Sequence, residues 1–455
     1  MVCQRSRMLH TRRVLLILFV AALLLQTAAT IGAMFFLDLP ISTGWDNEDY
    51  IRTADNTLAA HSFSVENAPP FRPNGFRTPG PLVLNIPLRL LSFKNDIAAA
   101  LISRFVVFLA GLLCVIIAAE LSVGKYALLA GPMFILSPTT FYYGMLAYCT
   151  ELPYAVVCGL LALGAVLYLN KAKGGGAVLI GLSALYALYL RPAALFVLIA
   201  YIGSCAVVAV FTRQGLRRRA LIAALACLFG MSVAYATWCY RNYVVFNRFE
   251  YSTVSGENLL KYNARAMEPF LDGQGKEELS ESLNKYPIKL QRYSGADQFV
   301  LSDQEGKEGL RLILKYPKAF LQSHLRGTLE STFIFRPEAL RSRRSVLRSV
   351  LVIAISTAHF GYLVLGTLGL VLLYPTLNVA QRAALVVIVS VGLISVLTGG
   401  ALYSPRFRIP LDIAFVVGTA NCISWMRSRF LFKLRKGDRP KQIPQALAPT
   451  VENTF

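Results

Sequence analysis

The chain has 455 residues, 55% of them hydrophobic and only 16% charged, with a mean hydropathy of +0.52. A soluble domain runs nearer ~25% charged and cannot hide that much apolar surface, so a water-soluble globule is excluded. The net charge of +21 does not argue for nucleic acid, because the basic residues crowd short segments between apolar runs.

A bilayer core of ~30 Å takes about 20 apolar residues per helix. Runs of that kind predict spans at 13–37, 97–119, 126–147, 151–169, 176–190, 192–211, 219–239, 346–374, 382–402 and 409–425. The expected fold is an all-α polytopic membrane protein of about ten transmembrane helices, with outer juxtamembrane helices and a helical outer loop region. The basic segments are Arg5 to Arg13, Lys171 and Lys173, Arg213 to Arg219, and Arg427 to Arg439. By the positive-inside rule they lie in the cytoplasm, which places both termini there and requires an even number of spans. The first run, Val14 to Phe36, exceeds a signal-peptide core and reads as a retained anchor. The divisions expected are a transmembrane module at 1–239, an extracytoplasmic region at 240–345, C-terminal spans at 346–425 and a basic cytoplasmic tail at 426–455. Without an Asn-X-Ser/Thr sequon, the chain suits a bacterial plasma (inner) membrane.

The first outer loop, 38–95, opens with Gly44-Trp45-Asp46-Asn47-Glu48-Asp49-Tyr50. Charge is expensive at a bilayer edge, so acids held there tend to have work to do. Two readings stay open: Asp46 and Asp49 act as a general base on an acceptor hydroxyl, or the segment is a solvated loop. Further on, Arg72 and Arg77 bracket a stiff stretch, Pro69 to Pro81, rich in proline and glycine. Interruptions at Pro132 and Pro138 weaken the 126–147 span. Glu151 is a lone acid opening the next apolar helix, either a macrodipole partner or a companion to the first-loop acids.

Arg191-Pro192 joins two spans on the same outer side. Arg241 and Asn242 follow Trp238, and Arg406 and Arg408 follow Tyr403. Arginine matches phosphate oxygens bidentately, and a lipid phosphate would sit at this depth, although snorkelling to headgroups explains single arginines equally well. Trp45 and Tyr50 fit either an interfacial belt or stacking on a sugar ring. The eight cysteines are scattered, without metal-type spacing, and His61, His324 and His359 show no pairing.

These fragments resemble a known family. Asp46-Asn47-Glu48-Asp49-Tyr50, followed by Ala54 and Leu58, resembles the first-loop segment of GT-C type glycosyltransferases, the bacterial relatives of protein mannosyltransferases and of the lipid A aminoarabinose transferase. Arg77-Thr78-Pro79-Gly80-Pro81 is similar to the family's Arg-x-Pro-Gly-Tyr-Pro stretch without its tyrosine. Thr150-Glu151-Leu152-Pro153-Tyr154, Leu190-Arg191-Pro192, Arg241-Asn242-Tyr243 and Pro405-Arg406-Phe407-Arg408-Ile409-Pro410 follow in the family's order.

The resemblance implies inverting transfer of a sugar from a polyprenyl-phosphate donor to a glycan, lipid or protein acceptor on the extracytoplasmic side. Asp46 would be the base, with Glu151 as its acidic partner and Asp49 beside them. Arg77, Arg241, Arg406 and Arg408 would hold the donor phosphate, and Glu48, Tyr50, Arg72, Arg191, Asn242 and Tyr403 would line the substrate site. Some members of the family use a divalent cation (Mg or Mn) and others dispense with it, so the resemblance leaves the cofactor open. Membrane lipids are the other expected partners and nucleic acid is not one. The competing readings are a lipid-linked sugar flippase or transporter, which should show internal symmetry, and an O-antigen ligase or polymerase, which would leave the acids after the first span unexplained.

Overall fold

Helices are the only regular elements among the described residues of this computed structural model, which are 2–36, 45–121, 123–286, 297–334, 346–402 and 404–437. That follows from the apolar runs: in hydrocarbon a backbone must satisfy its own hydrogen bonds, and the helix does so within one segment. Seven helices are long and apolar enough to cross a bilayer. They lie in α4 (Asp96–Glu120), α7 (Glu151–Lys171), α9 (Ala194–Phe211), α10 (Gln214–Phe246), α15 (Val346–Leu373), α16 (Val379–Thr398) and α17 (Ile409–Gly437).

The other three expected spans are shorter or broken. In α1 (Val2–Phe36) the apolar part is Leu16–Gly32, and α8 (Gly174–Leu190) has 17 residues. The stretch expected at 126–147 divides into a 3-10 turn at Gly124–Leu129, then α5 (Ala130–Leu136) and α6 (Pro138–Met145). Pro138 lacks an N–H and ends α5, while the Ser137 hydroxyl accepts from Thr140 N at 3.4 Å to start α6.

The two ends of the bundle differ. Lys171 closes α7 within 2.5 Å of Glu120, and Arg219 bonds the Leu169 and Asn170 carbonyls, placing cations at the negative end of that helix dipole. Arg427 lies over the Tyr126 ring at the same end. Glu151 begins α7 at the other end, 21 residues away, or roughly 30 Å at 1.5 Å per residue. At 33 residues α10 runs about 50 Å, longer than the bilayer core, so it carries Arg241 and Asn242 towards the Glu151 end.

The first loop folds into two helices at that end, α2 (Trp45–Ala60) and α3 (Gly80–Leu91). On α3, Asn85 and Arg89 are buried while Val83, Leu90 and Leu91 are exposed, as in a helix lying on lipid. The segment after α10 forms α11 (Val254–Glu257), a π turn at Asn258–Ala264, a 3-10 turn at Arg265–Phe270, α12 (Gly273–Lys285), α13 (Asp297–Lys315) and α14 (Pro317–Phe333). A small core of Leu260, Met267, Leu279 and Leu312 unites it. The end of α14 sinks among the spans, where the Thr332 carbonyl accepts from Arg408 Nη1 at 3.1 Å.

Glycines let α15 and α17 touch backbone to backbone: a Cβ on Gly418 would overlap the Gly366 carbonyl. Gly418→Leu is therefore expected to destabilise the protein by at least the ~1–3 kcal/mol of an overpacked core, read as a fall in melting temperature in detergent. Gly203→Ala, whose new carbon meets nothing within 4 Å, should leave the melting temperature unchanged.

Candidate active site

Asp46, in the first turn of α2, and Asp49 lie three residues apart and hence on one face, near the helix end where the dipole favours carboxylates. Arg89 of α3 fixes the helix from its other end, gripping Asp55 through two bonds of 2.8 and 3.1 Å and donating to Tyr148 Oη at 3.2 Å. Arg77 reaches the acids from the intervening loop. Asn74 Oδ1 accepts from the backbone N of both Phe76 and Arg77 at 2.9 Å, which sets that turn. Gly80 then packs so closely on α8 that a Cβ would stand 2.5 Å from Leu190 N. The close approach brings Arg77 beside the residue that follows Leu190, Arg191.

Arg77 holds both first-loop acids. Its Nη2 is 2.8 Å from Asp46 Oδ1 and 2.6 Å from Asp49 Oδ2, its Nε bonds Asp49 at 3.1 Å, and its guanidinium covers the Tyr50 ring at 5.0 Å. From the opposite side Arg191 Nη2 donates to Glu151 Oε1 at 3.1 Å, and its guanidinium covers the Phe407 ring at 5.3 Å. Arg406, in the 3-10 turn Pro405–Arg408, closes the arrangement. Its Nη1 is 3.3 Å from Asp46 Oδ2 and 3.5 Å from Glu151 Oε1. Three carboxylates and three guanidiniums from four parts of the chain thus form one cluster.

Burial works to raise the Asp46 carboxyl, but Arg77, Arg406 and Arg191 together outweigh it and hold it well below the usual carboxylate range. Its ion pairs therefore add stability above the ordinary carboxylate pKa of about 3.9, and lose it only as pH falls through the depressed value. Asp49 is pushed the other way, since its burial exceeds the pull of Arg77 and Asp46 repels it. Burial also lifts the Tyr50 hydroxyl to about 12.

Exposure decides which of these groups a ligand reaches. The Asp46 side chain is 35% exposed against 9% for Asp49 and 7% for Glu151, and Arg406 is 28% exposed against 9% for Arg77 and 12% for Arg191. Asp46 and Arg406 face the opening; the others back them. Beside Glu151, an apolar cavity of about 230 Å³ lies between α3, α4 and the start of α7, lined by Leu84, Leu88, Phe105, Val106, Tyr148 and Leu152.

Other residues singled out in the sequence sit elsewhere. Glu48 pairs with Arg52 one turn on at 3.0 Å, and Arg72 pairs with Glu66 at 3.0 Å on an exposed edge. Arg241 donates to the Asn74 carbonyl at 3.0 Å and to Asn242 Oδ1 at 2.8 Å, packed against Phe63, Trp238 and Phe246. Asn242 Nδ2 donates in turn to the Glu250 carbonyl at 2.7 Å. Arg241 braces the first loop from behind, and Asn242 ties the end of α10 to the segment that follows it.

Arg408 is fully buried, with Nε 3.0 Å from Asp412 Oδ1 and further contacts to Thr139 and His359. His359, given no role from its spacing, joins α15 to this knot. Tyr403 and the Trp45 side chain lie outside the described residues. Asp55 and Arg89 escaped the sequence reading because their pairing spans 34 positions in the chain and belongs to no motif.

The site carboxylates do not fit a divalent cation as arranged, because each already faces a guanidinium. Among the described residues no group of three or more His, Cys, Asp or Glu side chains could hold a metal ion, and the seven described cysteines are free and buried.

No protein-family model and no curated protein matches the sequence. By structure the chain is similar to the oligosaccharyltransferase of Archaeoglobus fulgidus, solved with a tethered acceptor peptide containing the NVT sequon. The TM-score is 0.51 at 14% identity, covering 93% of this chain and 52% of that one. The chain thus spans about half the length of that protein. ArnT from Cupriavidus metallidurans bound to undecaprenyl phosphate also aligns, with a TM-score of 0.40 at 13% identity over 94% of this chain and 81% of that one. The fold is of the GT-C type.

The bracing position of Arg241 leads to a specific expectation. Arg241→Ala should lower the melting temperature, because it strips partners from Asn74 and Asn242. Thermal unfolding in detergent checks it.

Proposed function

We propose that the chain is a membrane glycosyltransferase that moves a sugar, with inversion, from a polyprenyl-phosphate donor to an acceptor at the membrane surface. The observation that carries this reading is Arg406 Nη1, held within 3.5 Å of both Asp46 and Glu151 at the mouth of a charge-balanced cleft. A phosphate arriving there competes with two carboxylates for the most exposed of the three guanidiniums. Arg406 then neutralises the charge that builds on the departing lipid phosphate, with Arg77 and Arg191 supporting from behind. A lipid phosphate is already a good leaving group, so no general acid is needed.

Asp46, kept ionised by its arginines, faces the acceptor. As a permanent anion it orients the attacking hydroxyl towards the anomeric carbon opposite the phosphate. The apolar cavity beside Glu151 suits the first isoprene units of the donor chain, which explains why the site borders hydrocarbon. The likeness in fold to an oligosaccharyltransferase supports the class of reaction, and the exposed Arg406 backed by two further guanidiniums supports a donor that carries a phosphate.

The basic end of the bundle lies at the far end of α7 from the cleft, which supports cytoplasmic termini and an active site on the extracytoplasmic side of a bacterial plasma membrane. The acceptor there is a glycan, lipid or protein of the cell envelope. Ion pairs rather than an open, symmetric passage fill the cleft, which favours transfer over transport.

Purified protein in nanodiscs, given a synthetic polyprenyl-phosphate hexose and solubilised envelope acceptors, should release polyprenyl phosphate and label an acceptor. Asp46→Asn should reduce release by about 100-fold or more in protein that still folds and inserts, at a lower melting temperature because Arg77 and Arg406 lose an anionic partner. Arg406→Ala should weaken donor binding about tenfold or more, the value of one charge-assisted bond. Wild-type turnover in the first variant, or wild-type donor affinity in the second, would refute the role assigned.

A further inference from the structure

The segment between α10 and α15 is expected to stand in water, and α12 behaves that way. It buries Leu279 and exposes Lys276, Glu277 and Glu281. The last helix of the segment, α14, is built the other way round. Ala319, Ser323, Gly327 and Ser331, spaced every four residues, form its buried face. Leu321, Leu325, Leu329 and Phe333, with the same spacing, are 43% to 68% exposed. A helix in water turns its large apolar side chains inward. In lipid the order reverses: small residues meet the protein and large apolar ones meet acyl chains.

The depth of α14 follows from what its end touches. The Thr332 carbonyl lies 2.9 Å from His359 Nε2 of α15 and accepts from Arg408 Nη1 at 3.1 Å. Between His359 and Leu373, the end of α15, the helix rises roughly 21 Å at 1.5 Å per residue. That end belongs to the basic side of the bundle, for just beyond it Asn378 Nδ2 donates to Asn170 Oδ1 at 3.4 Å, beside Lys171. A point roughly 21 Å from the basic side is still inside a hydrocarbon core of ~30 Å. Thr332 therefore lies within the bilayer, below its edge on the cleft side. Next to it the Phe333 ring meets the Phe360 ring of α15 at 6.5 Å, and Phe360, Val364 and Leu368 are exposed along that span. The apolar face of α14 thus continues the lipid-facing surface of α15.

Polar residues run beside the leucine stripe. Lys318, Gln322 and Arg326 are exposed, and Arg326 pairs with Glu330 at 2.8 Å. A helix lying along a membrane interface has this layout, with leucines among the acyl chains and long basic side chains reaching back to headgroups.

We propose that α14 is seated in the leaflet on the cleft side, with Leu321, Leu325, Leu329 and Phe333 covered by the acyl chains of membrane lipid. This seat does not depend on what the cleft catalyses. It bears on the cleft nonetheless, because α14 also presses on the turn ahead of Arg406. A Cβ on Gly400 would stand 2.8 Å from Thr328 Oγ1 and 3.0 Å from the His324 carbonyl. Lipid held by α14 is therefore one helix away from the turn that presents Arg406.

The test uses the full-length chain with Cys3→Ser, whose seven other cysteines are buried, in phosphatidylcholine nanodiscs. A nitroxide is attached to Leu321→Cys, Leu325→Cys and Leu329→Cys, and to Lys276→Cys on α12 for comparison. On α14, collisions with oxygen, which concentrates in lipid, should exceed those with a water-soluble nickel chelate; at position 276 the chelate should dominate. Without any label, Leu325→Glu should lower the melting temperature in nanodiscs by about 2 °C or more, while Leu325→Met keeps it within about 1 °C. Nickel accessibility at 321 and 325 equal to that at 276 would put the face in water and overturn the seat in lipid. Labels reached by neither reagent, or broadened by one another, would mean that protein covers the face, and would overturn it equally. So would a wild-type melting temperature in Leu325→Glu.

Discussion

A carboxylate at the edge of a bilayer survives as an anion only with a cation beside it, and this cleft is organised by that requirement. Asp46, Asp49 and Glu151 come from two distant helices, and each has a guanidinium within 3.1 Å. Arg406 reaches both Asp46 and Glu151, so the first loop, the start of α7 and the turn before α17 hold one another in place. Removing one partner from such a set leaves a poorly solvated charge, a cost of several kcal/mol when burial is deep. Burial raises Asp49, where it exceeds the pull of Arg77, whereas at Asp46 the guanidiniums of Arg77, Arg406 and Arg191 outweigh burial and hold the carboxyl ionised.

Stiffness in the surrounding helices keeps this arrangement in register. Arg408, two residues after Arg406, is locked to Asp412 within α17 and to the end of α14 through the Thr332 carbonyl. The turn bearing Arg406 therefore cannot shift without breaking a fully buried pair. On the far side of the cleft, Arg89 and Asp55 do the same for α2. The proposed alignment of a lipid phosphate with an acceptor gains from such bracing, since displacement by even 1 Å is costly to rate.

Much of this was legible in the sequence where a physical rule has a local signature. Runs of apolar residues located the long spans, and the basic segments identified the end opposite the cleft. Acids just past the first run and lone arginines at span ends pointed to Asp46, Glu151, Arg191 and Arg406, which do converge. The rule failed where position at a span end was the sole evidence: Arg241 and Arg408 have the same local setting as Arg406, yet one braces a loop and the other is buried with Asp412. Outer juxtamembrane helices were expected, but the bounds of α2 and α3 were not legible because neither is an apolar run of membrane length, and Pro81, read as the end of a stiff stretch, sits in the first turn of α3.

The central claim is that Asp46 and Arg406, 360 residues apart in sequence, act as one unit at the mouth of the cleft. A double-mutant cycle on kcat/KM for polyprenyl-phosphate hexose tests it most directly, using Asp46→Asn, Arg406→Ala and the pair combined. The account predicts strong non-additivity, a coupling of at least about 1 kcal/mol, because the second change finds the unit already broken. Effects that add within about 0.3–0.5 kcal/mol would mean that the two residues work independently, and would contradict it.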